Sequence, residues 1–115
     1  MVIKRGEVWW ASLTAPEGSG PGYRKPVVVI QTNPFNESRI NTVIICAISS
    51  NLNLARAPGN LKLPKSKSLG LSKESVLNVS QIYTIDKSFL TQKIGRLSPS
   101  QINDLNEGLK MVLSV

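Results

Sequence analysis

Apolar positions in this chain follow two periods. As far as residue 97 they come in short runs separated by polar stretches with glycine or proline; beyond it they recur at helical spacing. Glu7–Leu13 is rich in aromatic and β-branched side chains and predicts a first strand. Pro26–Thr32 holds the unbroken run Val27–Ile30, apolar on both faces, and predicts a central strand. Thr42–Ser49 predicts a third, again nearly all apolar, ending in Ser49-Ser50-Asn51. The polar stretch Asn33–Asn41, with Pro34, reads as the connection between them. Asn60–Leu63, Ser75–Val79, Gln81–Ile85 and Ile94–Leu97 predict further short strands, with Asp86 capping a turn through Leu90. The helix signal at the end is the strongest local one. Ser98 is placed as N-cap, Pro99 at the first helical position and Gln101 as the partner in a capping box. Ile102, Leu105, Leu109, Val112 and Leu113 then fall on one face. Several short apolar strands followed by one amphipathic helix predict a mainly β, α+β fold: a strongly curved sheet or small barrel closed by the helix.

With 115 residues, 41% of them hydrophobic, the chain fits one domain over 1–115, large enough for a core without disulfide or metal. The single cysteine, Cys46, excludes an intrachain disulfide and suits a reducing cytoplasm; its place inside Thr42–Ile48 makes it a small core residue. No apolar segment reaches membrane-spanning length, and the N-terminus has no secretory h-region, so a cytoplasmic protein with no membrane partner is expected. Charge changes the picture more. The formal net charge is +7, and residues 18–73 account for all of it, with eight cations against Glu37 alone. A basic field concentrated on one segment suits a polyanion.

The chemistry open to the chain is narrow. It has no histidine, so the commonest general base and zinc ligand are missing, and its cysteine and carboxylates show no metal-ligand spacing. No cofactor motif is present. The stretch Gly18–Asn36 joins a glycine-rich loop to the apolar strand run, with Arg24 and Lys25 at the junction ahead of Pro26. A flexible loop anchored by core is where ligand sites are commonly built. Arg, Lys, Ser and amide side chains suit one reaction in particular. RNA carries its own nucleophile, the 2′-hydroxyl, so a protein need only orient it and stabilise the charged phosphorane.

Four motifs then resemble one family. Arg5-Gly6-Glu7-Val8-Trp9, Gly18-Ser19 with Gly22 and Arg24-Lys25-Pro26-Val27-Val28-Val29-Ile30-Gln31, Ala47-Ile48-Ser49-Ser50-Asn51-Leu52, and Gln81-Ile82 with Thr84-Ile85-Asp86-Lys87 are similar, in order and spacing, to the MazF/PemK-like toxins. The resemblance implies an SH3-like, CcdB-like barrel with a C-terminal helix. It implies a homodimer, an expectation that two adjacent tryptophans and many apolar strand residues share. It implies a metal-independent, sequence-specific endoribonuclease acting on single-stranded RNA or mRNA, and a cognate antitoxin, here expected to carry an acidic segment. The family's catalytic Arg before the Pro falls on Lys25, with Arg24 one step earlier, and its catalytic Thr falls on Ser49. Loop and strand carboxylates common in the family fall on Gly20 and Ser80. Catalytic candidates are therefore Arg24, Lys25 and Ser49, with the fork of Arg24 favoured as the larger contributor. RNA-binding candidates are Ser19, Tyr23, Ser50, Asn51, Arg56, Lys65, Lys67, Asn78, Ser80 and Gln81. The two missing carboxylates keep a weakened RNA- or antitoxin-binding module open as an alternative, and the shared fold keeps a CcdB-like gyrase poison open as another.

Overall fold

The computed structural model describes residues 2–13 and 23–115. Six strands form one antiparallel sheet: β1 (Glu7–Leu13), β2 (Tyr23–Val29), β3 (Thr42–Ser49), β4 (Leu61–Leu63), β5 (Ser75–Asp86) and β6 (Leu90–Arg96), in the order β4-β5-β3-β2-β1-β6. A short helix α1 (Asn33–Glu37) lies between β2 and β3, and α2 (Pro99–Leu113) follows β6. The sheet curls into a half-barrel with α2 at its end, the mainly β architecture that the apolar pattern predicts. No helix among the described residues is long and apolar enough to cross a membrane.

Both sheet faces are covered, which explains the unbroken apolar runs. One cluster gathers Val8, Val28, Cys46, Ile48, Leu77 and Leu97 with Leu105 of α2; the other holds Trp9, Ala11, Val27, Val29, Val43, Ile45 and Leu90. Successive residues of β2 alternate between the two, as a pleated strand requires. Cys46 is fully buried, and burial pushes its thiol up to about 12. A neutral thiol in the core is not a nucleophile.

Local signals set α2. The Ser98 side chain accepts from the Gln101 backbone at 3.1 Å, and the Gln101 side chain accepts from the Ser98 backbone at 2.9 Å, so the capping box is complete. Leu105 is fully buried, and Ile102 and Leu109 pack against the same cluster. Val112 and Leu113, predicted on that face, are instead exposed, because the last turn runs past the sheet.

Three other boundaries differ from the sequence reading. The second strand spans Tyr23–Val29 rather than Pro26–Thr32: the N–H groups of Ile30 and Gln31 both turn to the carbonyl of Ile44, and Thr32 then starts α1 inside the predicted connection. Ser75–Val79 and Gln81–Ile85 are one strand. Asn78 faces Ala47 while Ile82 faces the adjoining Cys46, so Val79, Ser80 and Gln81 form a bulge that bends β5 without ending it. The last strand begins at Leu90, not Ile94, directly after the Asp86-capped turn Lys87–Phe89.

The two sheet edges are bridged by the turn 66–71. Arg96 N–H donates to the Ser68 carbonyl at 3.0 Å. Gly70 takes a positive φ of 71° with its backbone against Ile94, where an added Cβ would sit 2.2 Å from the carbonyl oxygen; Gly95 is pressed equally closely against Leu69. Only residues without a Cβ permit this approach.

Candidate active site

The β1–β2 register sets Trp10 opposite Pro26 and Ser12 opposite Arg24, so Trp10 and Arg24 are diagonal neighbours on one face. The Arg24 guanidinium carbon lies 5.0 Å from the Trp10 ring centroid, a cation–π contact that orients an otherwise exposed side chain. Lys25, half-buried, belongs to the other face with Val27. Val27 stands opposite Ala47 on β3, and two residues further on that strand is Ser49. By the pleat, Lys25 and Ser49 therefore share a face, and Arg24 lies on the opposite one.

Both faces meet at the sheet's end in a cleft of about 370 Å³, lined by Trp10, Arg24, Lys25, Ser49, Ser50 and Lys73 among others. The Ser49 hydroxyl accepts the Asn51 N–H at 3.1 Å, which leaves its own hydrogen free to donate to a bound oxygen. The described residues that line the cleft include no carboxylate. The arrangement offers two cations of different geometry, a third in Lys73 and four serine hydroxyls, which suits a phosphate group and not a cation. Among the described residues no three Cys, Asp or Glu side chains come together as metal ligands do.

Other predicted site residues fall elsewhere. Ser19 and the side chain of Tyr23 lie outside the described residues. Asn51 caps the Leu52–Arg56 turn through a 3.1 Å bond from the Asn53 N–H. Arg56 is exposed on that turn, away from the cleft. Lys65 and Lys67 border a separate shallow hollow, which shares Gly70, Leu71 and Ser72 with the cleft. Ser80 and Gln81 are exposed on the β5 bulge and do not reach it. Asn78 corrects the expectation that it reads base edges: it is buried, with its amide oxygen taken by the Ser80 hydroxyl at 2.8 Å. Trp10 and Lys73, neither of them a predicted site residue, also line the cleft. The tryptophan pair already implies that one ring faces away from the core, but only the β1–β2 register puts it beside Arg24.

Fold and site together describe a small curled-sheet protein with a cationic, hydroxyl-bearing cleft at the sheet's end. The model of the PemK-like, MazF-like toxins of type II toxin–antitoxin systems matches residues 4–113, and the chain belongs to that family. It is 44% identical over 115 residues to Endoribonuclease MazF6 of Mycobacterium tuberculosis, covering all of both chains. It is 35% identical over 115 residues to Endoribonuclease EndoA of Bacillus subtilis, covering all of this chain and 97% of EndoA. The fold is similar to that in a MazE–MazF crystal structure from Deinococcus radiodurans, with a TM-score of 0.81 at 18% identity over 100% of this chain and 98% of that one. It is also similar to a mycobacterial endoribonuclease solved with its cognate antitoxin, with a TM-score of 0.74 at 21% identity over 99% and 95% of the two chains.

Proposed function

We propose that this chain is a toxin endoribonuclease that cuts single-stranded RNA in the cleft between β1, β2 and β3, using the RNA's own 2′-hydroxyl and no metal. The observation that carries the mechanism is the convergence of Arg24, Lys25 and Ser49 on one cleft from two faces of the sheet. Full-length relatives named as endoribonucleases support the activity. The 2′-oxygen attacks the adjacent phosphorus and gives its proton to solvent water. The bond to the 5′-oxygen breaks and that oxygen takes a proton from water, so the products are a 2′,3′-cyclic phosphate and a 5′-hydroxyl. Lys25, on the Ser49 face, neutralises charge on the phosphorane while the Ser49 hydroxyl orients a non-bridging oxygen. Arg24, held by Trp10, grips a neighbouring phosphate from the other side.

An antitoxin is the expected partner, as in the complexes of its structural relatives; an acidic segment would meet the same cations as RNA. A homodimer is likewise proposed. The weakened-binder alternative rests on the absence of a carboxylate among the described lining residues, and the same experiment separates it. Purified protein is incubated with single-stranded RNA in EDTA and the new ends are mapped. Cyclic-phosphate ends, and no cutting when the cut position carries 2′-deoxyribose, are expected. Loss of cleavage in EDTA refutes the metal-free mechanism; RNA binding without cleavage of any sequence establishes the binder.

A further inference from the structure

Outside residues 18–73 the chain's six cations are matched one for one by carboxylates. Folding undoes that balance. Lys4 and Arg5, from the segment before β1, and Lys93 and Arg96, from β6, surround a concavity of about 770 Å³ beside the start of α2, about twice the volume of the candidate active site. Among the described residues Glu7 is the one carboxylate lining it, and it is already engaged: it is buried, 3.0 Å from Lys93 Nζ, and accepts from the Lys4 backbone N–H at 2.8 Å. Of the other described acids of that balance, Glu74, Asp86, Asp104 and Glu107 do not line it; Glu107 pairs with Lys110 and Glu74 with Lys62. Arg5 is anchored, with Nε donating to the Ile30 carbonyl and Nη2 to Asn106 Oδ1, each at 2.8 Å. The ammonium of Lys4 and the guanidinium of Arg96 form no ion pair among the described residues.

The turn 66–71 links this concavity to the active-site cleft. Arg96 N–H is bonded to the Ser68 carbonyl, and the Ser68 hydroxyl lies 2.8 Å from that of Ser66. Ser66 borders the hollow of Lys65 and Lys67, which shares Gly70, Leu71 and Ser72 with the cleft. Cations thus line three neighbouring hollows: Arg24 and Lys25 at the cleft, Lys65 and Lys67 at the turn, Arg96 and Lys4 at the far concavity. Among the described residues no aromatic side chain lines the far concavity to stack on a base. What it offers is charge, which binds phosphates without reading sequence.

Building on the ribonuclease reading, we propose that the concavity of Lys4 and Arg96 is a second phosphate-binding station, which holds the backbone of a nucleic-acid strand extending beyond the cut site. An acidic protein segment would meet the same charges, but the succession of cationic hollows from the cleft favours the strand that enters the cleft. The test uses single-stranded deoxyoligonucleotides, which lack the 2′-hydroxyl and cannot be cut. One set just fills the cleft; the other is extended on either side by about eight nucleotides, the scale of a single-strand site. Binding is measured across a salt series. In Lys4→Gln/Arg96→Gln the salt slope for the longer strand should be shallower by about 1.4, two phosphates at about 0.7 each. The slope for the short strand should not move, and the charge-preserving Lys4→Arg/Arg96→Lys should keep the wild-type slope for both. An unchanged slope on the long strand, or equal loss on both lengths, overturns the proposal. So does loss of polyglutamate binding with the oligonucleotide slopes intact, which would assign the concavity to an acidic protein. Because nothing here requires cleavage, failure of the ribonuclease reading in the EDTA experiment and failure of this station are read separately.

Discussion

Replacing Lys25 with alanine should slow cleavage far more than replacing Arg24, although the fork of an arginine is the better phosphate clamp in isolation. The reason is position. Lys25 is half-buried and shares its face with Ser49, where the scissile phosphate is proposed to sit. Arg24 is exposed and lies against Trp10 on the opposite face. A charge about 4 Å from the phosphorane at an effective dielectric constant of about 20 is worth about 4 kcal/mol. That agrees with the roughly 10²–10³ in rate lost when one preorganised donor is removed. For an exposed cation the same separation in water is worth about 1 kcal/mol, or about fivefold. Lys25→Ala should therefore lose about 10²–10³ in kcat with little change in KM. Arg24→Ala should lose about fivefold, much of it in KM. The assay is single-turnover cleavage of an oligomer with one ribonucleotide, at the mapped cut, in a deoxyribose background. Equal losses, a larger loss for Arg24→Ala, or a Lys25→Ala effect confined to KM would refute this assignment.

Trp10→Leu keeps an apolar side chain but removes the ring face under Arg24; a two- to fivefold loss of activity is expected, about 0.5–1 kcal/mol at an exposed cation–π site, and none in an Arg24→Ala background. Glu7 tests a pH dependence. Burial pushes its carboxyl up, but bonds from the Lys4 N–H, Lys93 and the Trp9 indole outweigh this and hold it below the usual carboxylate range. A lowered native pKa gives stability that is full above the unfolded value of about 4.3 and is lost as pH falls through the native one. Glu7→Gln should thus cost about 1–3 kcal/mol in denaturant melts near neutrality, and the difference should vanish in acid. Gly70→Ala forces a Cβ into the Ile94 carbonyl at positive φ and should cost about 2–5 kcal/mol, read as a lowered Tm.

Local physics made much of this protein legible from its residues. The boundaries of β1 and β3 follow from dense apolar and β-branched runs, and the start of α2 from a capping box whose partners are three residues apart. Membership of the toxin family follows from motifs that are themselves contiguous. What the residues could not determine depends on which distant segments lie side by side. Alternation along β2 separates Arg24 from Lys25, but only the pairing with β3 gives Lys25 the face of Ser49, and only the pairing with β1 brings Trp10 to Arg24. Ser80 looks like the gap between two strands because a bulge and a break have the same local pattern; the ladder with β3 distinguishes them. Asn78 looks available as an amide because burial by the curled sheet is not written in its neighbours. Charge shows the difference most plainly. Counted along the chain, Lys4, Arg5, Lys93 and Arg96 are neutralised; in the fold, the antiparallel pairing of β1 with β6 gathers them at one concavity and leaves most of their matching acids elsewhere, because electrostatics acts through space and not through sequence.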